Sequence, residues 1–304
     1  MTPRVGWDDL VITDPATDVF EQHRPVLMGV AYRMLGRVTD AEDVVQDAWL
    51  RWSAAGRDEV RDTRAYLVRI TTRVALDRLR RIRARNEAYV GCWLPEPYAA
   101  EHVGLVPDTA EGALLTESAS LAVLVLLESL SPLERAVFVL REAFGYPYGE
   151  IAAILDRAEP AVRQLAARAR RHVDERRPRY DVDPGRRREL TERLLAAARE
   201  GDLDGLVRLL APDARLVGDG GGKSRAPLRV LETADRIGRF LVGAARKSPP
   251  GRSVRLMELN GGPAALYLRD GAPDAVLQVD VVDGRIQTVH LIRNPDKLRS
   301  LVGL

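Results

Sequence analysis

Arginine and glutamine at helical spacing near the middle of the chain are the residue types best suited to nucleic-acid chemistry. Val162, Leu165, Ala166, Ala169 and Val173 recur at i, i+3, i+4, i+7 and i+11. This buries one helical stripe and turns Ala161, Arg163, Gln164, Arg168 and Arg171 outward. The N-terminal residues of such a helix, Glu159, Arg163 and Gln164 among them, can meet base edges in a major groove. Arg168, Arg170 and Arg171 lie further along, where phosphates would be. The same residues also fit an ordinary amphipathic helix hairpin with a solvated basic face, and the motif alone does not separate the two readings.

The elements that must position this helix are legible around it. Ser131-Pro132-Leu133-Glu134 is a capping box with proline at the first helical position, predicting a helix from there to Gly145. Ile151, Ala152, Ile154 and Leu155 support a short second helix, and Asp156 to Glu159 supply the turn. Earlier, Asp18 to Arg37 reads as a helix ending near Gly36. Thr39-Asp40-Ala41-Glu42 reads as another capping box opening a helix with Ala41, Val44, Val45, Ala48, Trp49 and Trp52 on its buried face. Its other face shows Asp40, Asp43, Gln46, Asp47 and Arg51, which is either a solvated surface or a dock for a basic partner. After a polar loop, Ser53 to Asp62, a long helix capped by Asp62 or Thr63 runs through Tyr66, Leu67, Ile70 and Val74 into Arg78, Arg80, Arg81, Arg83 and Arg85. Tryptophans beside such a helix suit single-stranded nucleic acid, where stacking is worth about 1 to 3 kcal/mol per base. Trp49 and Trp52 also sit on an apolar stripe, and tryptophans so placed are more often core.

The 304 residues suffice for two or three domains, and 46% hydrophobic with 30% charged residues is ordinary for a soluble globular protein. No apolar run approaches the roughly 18 residues of a membrane span, and Met1 to Phe20 is not signal-like, so a cytoplasmic protein is expected. The single cysteine, Cys92, excludes an internal disulfide, and no ligand cluster suggests a metal. A net charge of +2 argues nothing alone, but the arginines cluster at 78–85 and 163–179.

From Asn86 to Leu115 no helical period is sustained until the end, and Trp93-Leu94-Pro95-Glu96-Pro97 should be extended. Leaving Tyr89, Trp93 and Leu94 in water would cost about 1.5 to 3 kcal/mol each, so this linker should dock on something. Beyond Pro184 the pattern changes. Leu190 to Arg199 is helical, Asp202 can cap a short helix that Pro212 ends, and Ile237 to Ala244 marks another helix. Strands are expected at 214–217, 254–259, 264–269, 275–282 and 285–292, with turns at Asn260-Gly261 and Asp283-Gly284. Helices followed by an antiparallel meander make an α+β domain in which a curved sheet wraps helices into a cone.

Taken in order, Asp40-Ala41-Glu42-Asp43-Val44-Val45-Gln46-Asp47, Tyr66-Leu67-Val68-Arg69-Ile70, Ser131-Pro132-Leu133-Glu134-Arg135 and Glu150-Ile151-Ala152 resemble a bacterial sigma factor of the extracytoplasmic-function type. The resemblance implies two all-α sigma domains. A region 2 helical bundle, 15–85, would dock on core RNA polymerase and open the minus-10 element. A region 4 helix-turn-helix, 115–178, would read the minus-35 element. It further implies that Asp40, Asp43, Gln46 and Asp47 meet the polymerase, and that the loop from Ser53 to Thr63 captures a flipped promoter base. Ala158 departs from the serine cap frequent in such factors, so the recognition helix is expected to start loosely or be capped otherwise. The C-terminal unit, 185–304, resembles the SnoaL-like fold. Trp93-Leu94-Pro95-Glu96-Pro97 in the linker 86–114, Asp219-Gly220-Gly221-Gly222-Lys223 and Asn294-Pro295-Asp296-Lys297-Leu298 match the sigma group carrying this domain. In that group the domain regulates in cis, with linker and cone touching.

Two other readings compete. A cone enzyme would use Asp219 or Asp280 as base with His290 or Tyr267 nearby, although fold alone does not decide this. A ligand-sensing regulator would bind operator DNA without polymerase, its cone holding an unknown small molecule. The sigma reading expects no catalysis, no cofactor, no metal and no membrane partner. Its partners are core polymerase and promoter DNA, with a small-molecule ligand in the cone left open.

Overall fold

The computed structural model describes residues 15–55, 60–86, 89–99, 120–175 and 183–304. The arginines expected at 83 and 85 and the stretches 100–119 and 176–182 lie outside what is described of side chains or backbone. The first helices are α1 (Pro15–Leu35), α2 (Val38–Ser53) and α3 (Thr63–Asn86). Gly36 ends α1 in the left-handed region, φ +70°, where glycine is tolerated. Asp62, not Thr63, caps α3, accepting from the Ala65 N–H at 3.0 Å. The capping box expected at Thr39 is not formed. The helix begins two residues earlier than that box would start it, at Val38, with no side-chain bond from its Arg37 N-cap. A carboxylate from elsewhere serves instead: Glu96 Oε2 accepts from the Val38 N–H at 3.1 Å. An anion there also suits the positive end of the helix dipole.

The second helical unit comprises α4 (Leu121–Leu127), α5 (Pro132–Phe138), a π-helical turn (Val139–Ala143), α6 (Tyr148–Leu155) and α7 (Glu159–Asp174). The Ser131–Glu134 capping box forms as expected. Ala158 provides no side-chain cap, and α7 starts with the Ala161 and Val162 N–H groups on its carbonyl. The apolar stripe from Val162 to Val173 is buried at every expected position. The two units are not separate bodies. Residues of α1, α2 and α3 form one continuous buried cluster with those of α4 to α7.

The C-terminal unit has α8 (Pro184–Glu200), α9 (Leu203–Leu209), β1 (Leu210–Asp219), β2 (Leu231–Glu232), α10 (Ala234–Arg246), β3 (Arg252–Leu259), β4 (Gly262–Arg269), β5 (Ala272–Val282) and β6 (Arg285–Ile292), then two 3₁₀ turns. Strand order is β2-β1-β6-β5-β4-β3. The meander β3 to β6 is antiparallel as expected, and β1 joins it parallel to β6. Pro212 does not end α9, which stops at Leu209; it falls within β1 where register shifts between Leu210 and Arg215. Asn260-Gly261 and Asp283-Gly284 have positive φ at both positions, the geometry of two-residue hairpin turns. One sheet face packs on α8, α9 and α10 through Leu216, Ala265, Leu277, Val279 and Val289. The opposite face carries Leu266, Val276 and Ile292, which pack with Leu94 and Ala99 of the linker. Alternation along the strands thus gives this sheet two buried faces, one for its own helices and one for the linker.

Candidate functional site

The linker crosses the second sheet face in extended form, and the expected docking is observed. Leu94 is fully buried among Leu259, Leu266, Val276, Ile292, Leu298 and Leu301. Pro95, Glu96 and Pro97 are buried with it, and Trp93 is half-buried. At the end of β1, Asp219 gathers three donors: Tyr89 Oη at 2.6 Å, the Leu94 N–H at 2.8 Å and Lys297 Nζ at 2.7 Å. Lys297 Nζ also donates to the Leu94 carbonyl and lies 3.9 Å from the centre of the Trp93 ring. Asn294 donates to Tyr89 Oη at 2.8 Å. Asp219 is 0% and Lys297 1% exposed, so their charges are held almost wholly by one another and by the linker.

The glycines after Asp219 have a steric role besides backbone freedom. Gly221 has φ +56°, and a Cβ there would lie 2.3 Å from the Asn294 amide nitrogen. Lys223 requires a correction. It is expected among the polar contacts that hold the cone against the sigma domains, but it is exposed and pairs with Asp296 inside the C-terminal unit. Asp296 also pairs with Arg299 at 3.0 Å. Pro295 opens a 3₁₀ turn, and Leu298 joins the pocket around Leu94.

From the linker the contacts continue into the first helical unit. The Glu96 N–H donates to the Gly36 carbonyl at 2.8 Å, and Tyr32 Oη donates to the Glu96 carbonyl at 2.7 Å. Asn260, in the β3–β4 turn, donates to Tyr32 Oη at 2.8 Å. It also exchanges bonds with the Tyr98 backbone. A Cβ at Gly36 would lie 2.7 Å from the Trp93 ring. The role of Glu96 as a cap and the roles of Tyr32, Tyr98 and Asn260 were not visible in the sequence. Asn260 read only as a turn residue, and no local pattern reveals a partner 228 residues away.

Burial pushes Lys297 down to about 8 from its ordinary 10.5, with Asp219 opposing the shift. The folded chain therefore binds this proton less tightly than the unfolded chain. Stability contributed by this group is fully present above 10.5 and lost as pH falls through about 8. We expect chemical denaturation to show stability rising between pH 8 and 10, and the rise to shrink in Lys297→Met. Equal slopes in both proteins would refute the assignment.

On α2, Asp43, Gln46 and Asp47 are exposed as expected. Asp40 is not part of an open face. It is 8% exposed and accepts from Arg78 of α3 at 2.6 Å, while the same guanidinium reaches Asp43 at 2.7 Å. Trp52 is core and donates to the Ala16 carbonyl at 3.0 Å. Trp49 is half-buried against Phe20. On α7, Arg163, Gln164, Arg168, Arg170 and Arg171 are all exposed. Carboxylates hold three of these arginines: Glu159 meets Arg163 at 2.5 Å, Glu134 meets Arg168 at 3.2 Å, and Glu142 meets Arg170 at 2.7 Å. The Arg163 and Arg170 pairs are exposed and worth under about 1 kcal/mol, which phosphates can displace, whereas Glu134 is buried and holds Arg168 from the side of α5.

The two helical units meet at Arg135, which is 0% exposed. It donates to the Arg33 carbonyl at 2.9 Å and to Glu128 at 2.5 Å. Arg73 of α3 donates to the Ile154 carbonyl of α6 at 3.0 Å. Beside this contact a cleft of about 590 Å³ lies between Val60, Asp62, Tyr66 and Arg69 on one side and Glu150 and Ala153 on the other. The loop expected to capture a base thus ends against the second helical unit, its residues 56–59 lying outside the description.

The residues of the catalytic alternative are only partly together. His290 and Asp280 are buried and touch at 2.6 Å. Strand alternation puts them on the linker-bearing face with Asp219, whereas Tyr267 packs on the helix-bearing face. Among the described residues no group of three or more metal-ligating side chains occurs, and no helix is long and apolar enough to cross a membrane.

The family models for Sigma-70 region 2 and Sigma-70, region 4 match residues 19–85 and 120–173. The chain is 39% identical over 290 residues to the ECF RNA polymerase sigma factor SigJ of Mycobacterium tuberculosis, spanning 91% of each chain. It is 34% identical over 297 residues to the probable ECF RNA polymerase sigma factor SigI of the same species, spanning 95% of this chain and 98% of that one. The crystal structure of SigJ matches with a TM-score of 0.72 at 36% identity, covering 93% of this chain and 98% of that one. Similarity of that extent runs through both helical units, the linker and the cone, and the chain belongs to the extracytoplasmic-function family of RNA polymerase sigma factors.

Proposed function

We propose that this sigma factor is held closed by its own C-terminal unit, which regulates it in cis through the linker. Regions 2 and 4 bind core RNA polymerase and the minus-10 and minus-35 elements and direct transcription initiation. Those elements lie roughly 25 base pairs apart, on the order of 85 Å along B-form DNA. In the present arrangement α3 and α6 touch, so promoter engagement requires the two helical units to part. The observation that carries the reading is the convergence of Tyr89, Leu94 and Lys297 on Asp219. Through it, the cone holds the segment that also caps α2 and bonds to Gly36.

The domain limits that fit this reading are 15–85, 86–114, 115–178 and 185–304. For core docking we favour Asp43, Gln46 and Asp47, with Asp40 acting indirectly by fixing Arg78. For promoter reading we favour Glu159, Arg163, Gln164 and Arg168, with Arg170 and Arg171 on phosphates. The cone is non-enzymatic in this reading, since Asp219 is committed to the linker, and the protein works in the cytoplasm beside polymerase. The test is run-off transcription with sigma-free core polymerase, comparing the full chain with a truncation ending near residue 181. Expected is initiation by both at different levels. Equal output would refute cis regulation, and lack of initiation by both, without co-elution with core, would refute the assigned roles.

A further inference from the structure

At the end of the sheet that carries Asp219, three arginines converge on one carboxylate. Asp274, in the irregular stretch of β5 opposite Tyr267 and Leu268, is 7% exposed in its side chain. Arg269 at the end of β4 reaches it at 2.9 Å, Arg293 after β6 at 3.1 Å, and Arg252 at the start of β3 at 3.4 Å. Three guanidinium groups against one carboxylate leave two positive charges in a partly desolvated place. Among the described residues, no other carboxylate pairs with these three. The Nε donors of Arg252 and Arg293 are buried without an acceptor, so Asp274 does not satisfy the set. Uncompensated charge of this kind is costly unless an anion completes it.

We propose that Arg252, Arg269 and Arg293 form a binding site for a phosphoryl dianion, whether free phosphate or the phosphate of a small monoester. The charge excess of two matches the dianion, and the planar fork of arginine suits phosphate oxygens. Arg269 is 54% exposed in its side chain and Arg293 25%, which leaves an approach from solvent. Arg252 lies 4.2 Å from the centre of the Tyr267 ring, a flat apolar floor beneath the charge. Burial lowers the Arg252 pKa; Asp274 and Tyr267 oppose the shift, and Arg293 and Arg269 add to it more weakly.

The site adjoins the linker-holding contacts. Arg293 donates to the Arg225 carbonyl at 2.9 Å, in the loop that follows Asp219, and its own N–H donates to the Asp219 carbonyl at 2.7 Å. Occupancy would pull on this loop, a consequence that rests on the cis-regulatory reading, whereas binding itself does not.

The experiment is titration calorimetry on the full chain with inorganic phosphate, adenosine 5′-monophosphate and adenosine. Phosphate and the monophosphate should bind with millimolar or better affinity, and adenosine should not. Tighter binding of the monophosphate identifies a monoester ligand; equal binding identifies free phosphate. Arg269→Gln and Arg293→Gln should each weaken binding by at least about tenfold, while Arg285→Gln, at the opposite end of the sheet, should not. No heat at millimolar phosphate, or equal binding in Arg269→Gln and the parent, overturns the site. Hydrogen exchange at 220–227 and 89–94 reads the coupling separately. Binding without any change there overturns the coupling and leaves cis regulation to be judged by the truncation.

Discussion

Asp219→Ala should lower unfolding free energy by about 3 to 5 kcal/mol, the range for breaking one side of a buried charge pair. The substitution removes the acceptor for Tyr89, Leu94 and Lys297 together and leaves the Lys297 ammonium buried at 1% exposure with no carboxylate against it. Lys297 then has two routes to relief: losing its proton, or swinging out and releasing the linker. Asp219→Asn separates these routes. The amide keeps an oxygen for one donor and fills the same space but withdraws the charge, so Lys297 should titrate below its value of about 8. Denaturation measures the stability loss, and hydrogen exchange over 89–94 measures the release. In run-off assays both variants should resemble the truncated chain. Stability and output unchanged in Asp219→Ala would remove the centre of the proposed regulation.

Arg135→Ala should loosen the junction of the helical units. Its guanidinium is the largest fully buried side chain of the molecule's described part, and its bonds run to a carbonyl of α1 and to Glu128. Removing it withdraws one donor from the Arg33 carbonyl, leaves Glu128 without this guanidinium and opens a void the surrounding helices fill only partly, an expected loss of about 3 to 5 kcal/mol. The same change should widen the distance between α2 and α7, read by energy transfer between labels at Gln46 and Arg171. Because those labels sit on exposed positions, the reading does not depend on the core refilling. A melting temperature and a distance both equal to the parent's would show that Arg135 does not hold the units together.

These two variants address different contacts, one between cone and linker and one between regions 2 and 4. Asp219 and Arg135 share no hydrogen-bond partner, so their effects on stability should be close to additive apart from the weak attraction between Lys297 and Glu128, the carboxylate that Arg135 holds. A marked departure from additivity would mean that release of the linker itself opens the helical units. That is the coupling a cis regulator needs, and α1 is where it would run. Gly36 and Tyr32 bond to Glu96, and Arg33 bonds to Arg135.

What the sequence determined by itself is what short-range sterics and periodicity control. The buried stripe of α7, the Ser131–Glu134 box, the Asp202 cap and the hairpin turns at Asn260 and Asp283 all formed where their local patterns put them. Each rests on interactions within a few residues, so no knowledge of the fold is needed. The ordered motifs also carried the family, since Asp40 to Asp47 and Glu150 to Ala152 occur at family spacing. Tertiary structure decided which groups meet across long stretches of chain. Thr39 had the composition of a cap, yet Glu96 took that role because the docked linker brings a carboxylate to the Val38 N–H. Asp40 read as solvent-facing, yet α3 lays Arg78 against it. Lys223 and Lys297 looked equivalent in their motifs. Only the packing of the sheet, with β1 parallel beside β6, put Lys297 inside with Asp219 and left Lys223 outside with Asp296. Burial decides which charges must be paired, and burial is a property of the whole packed chain.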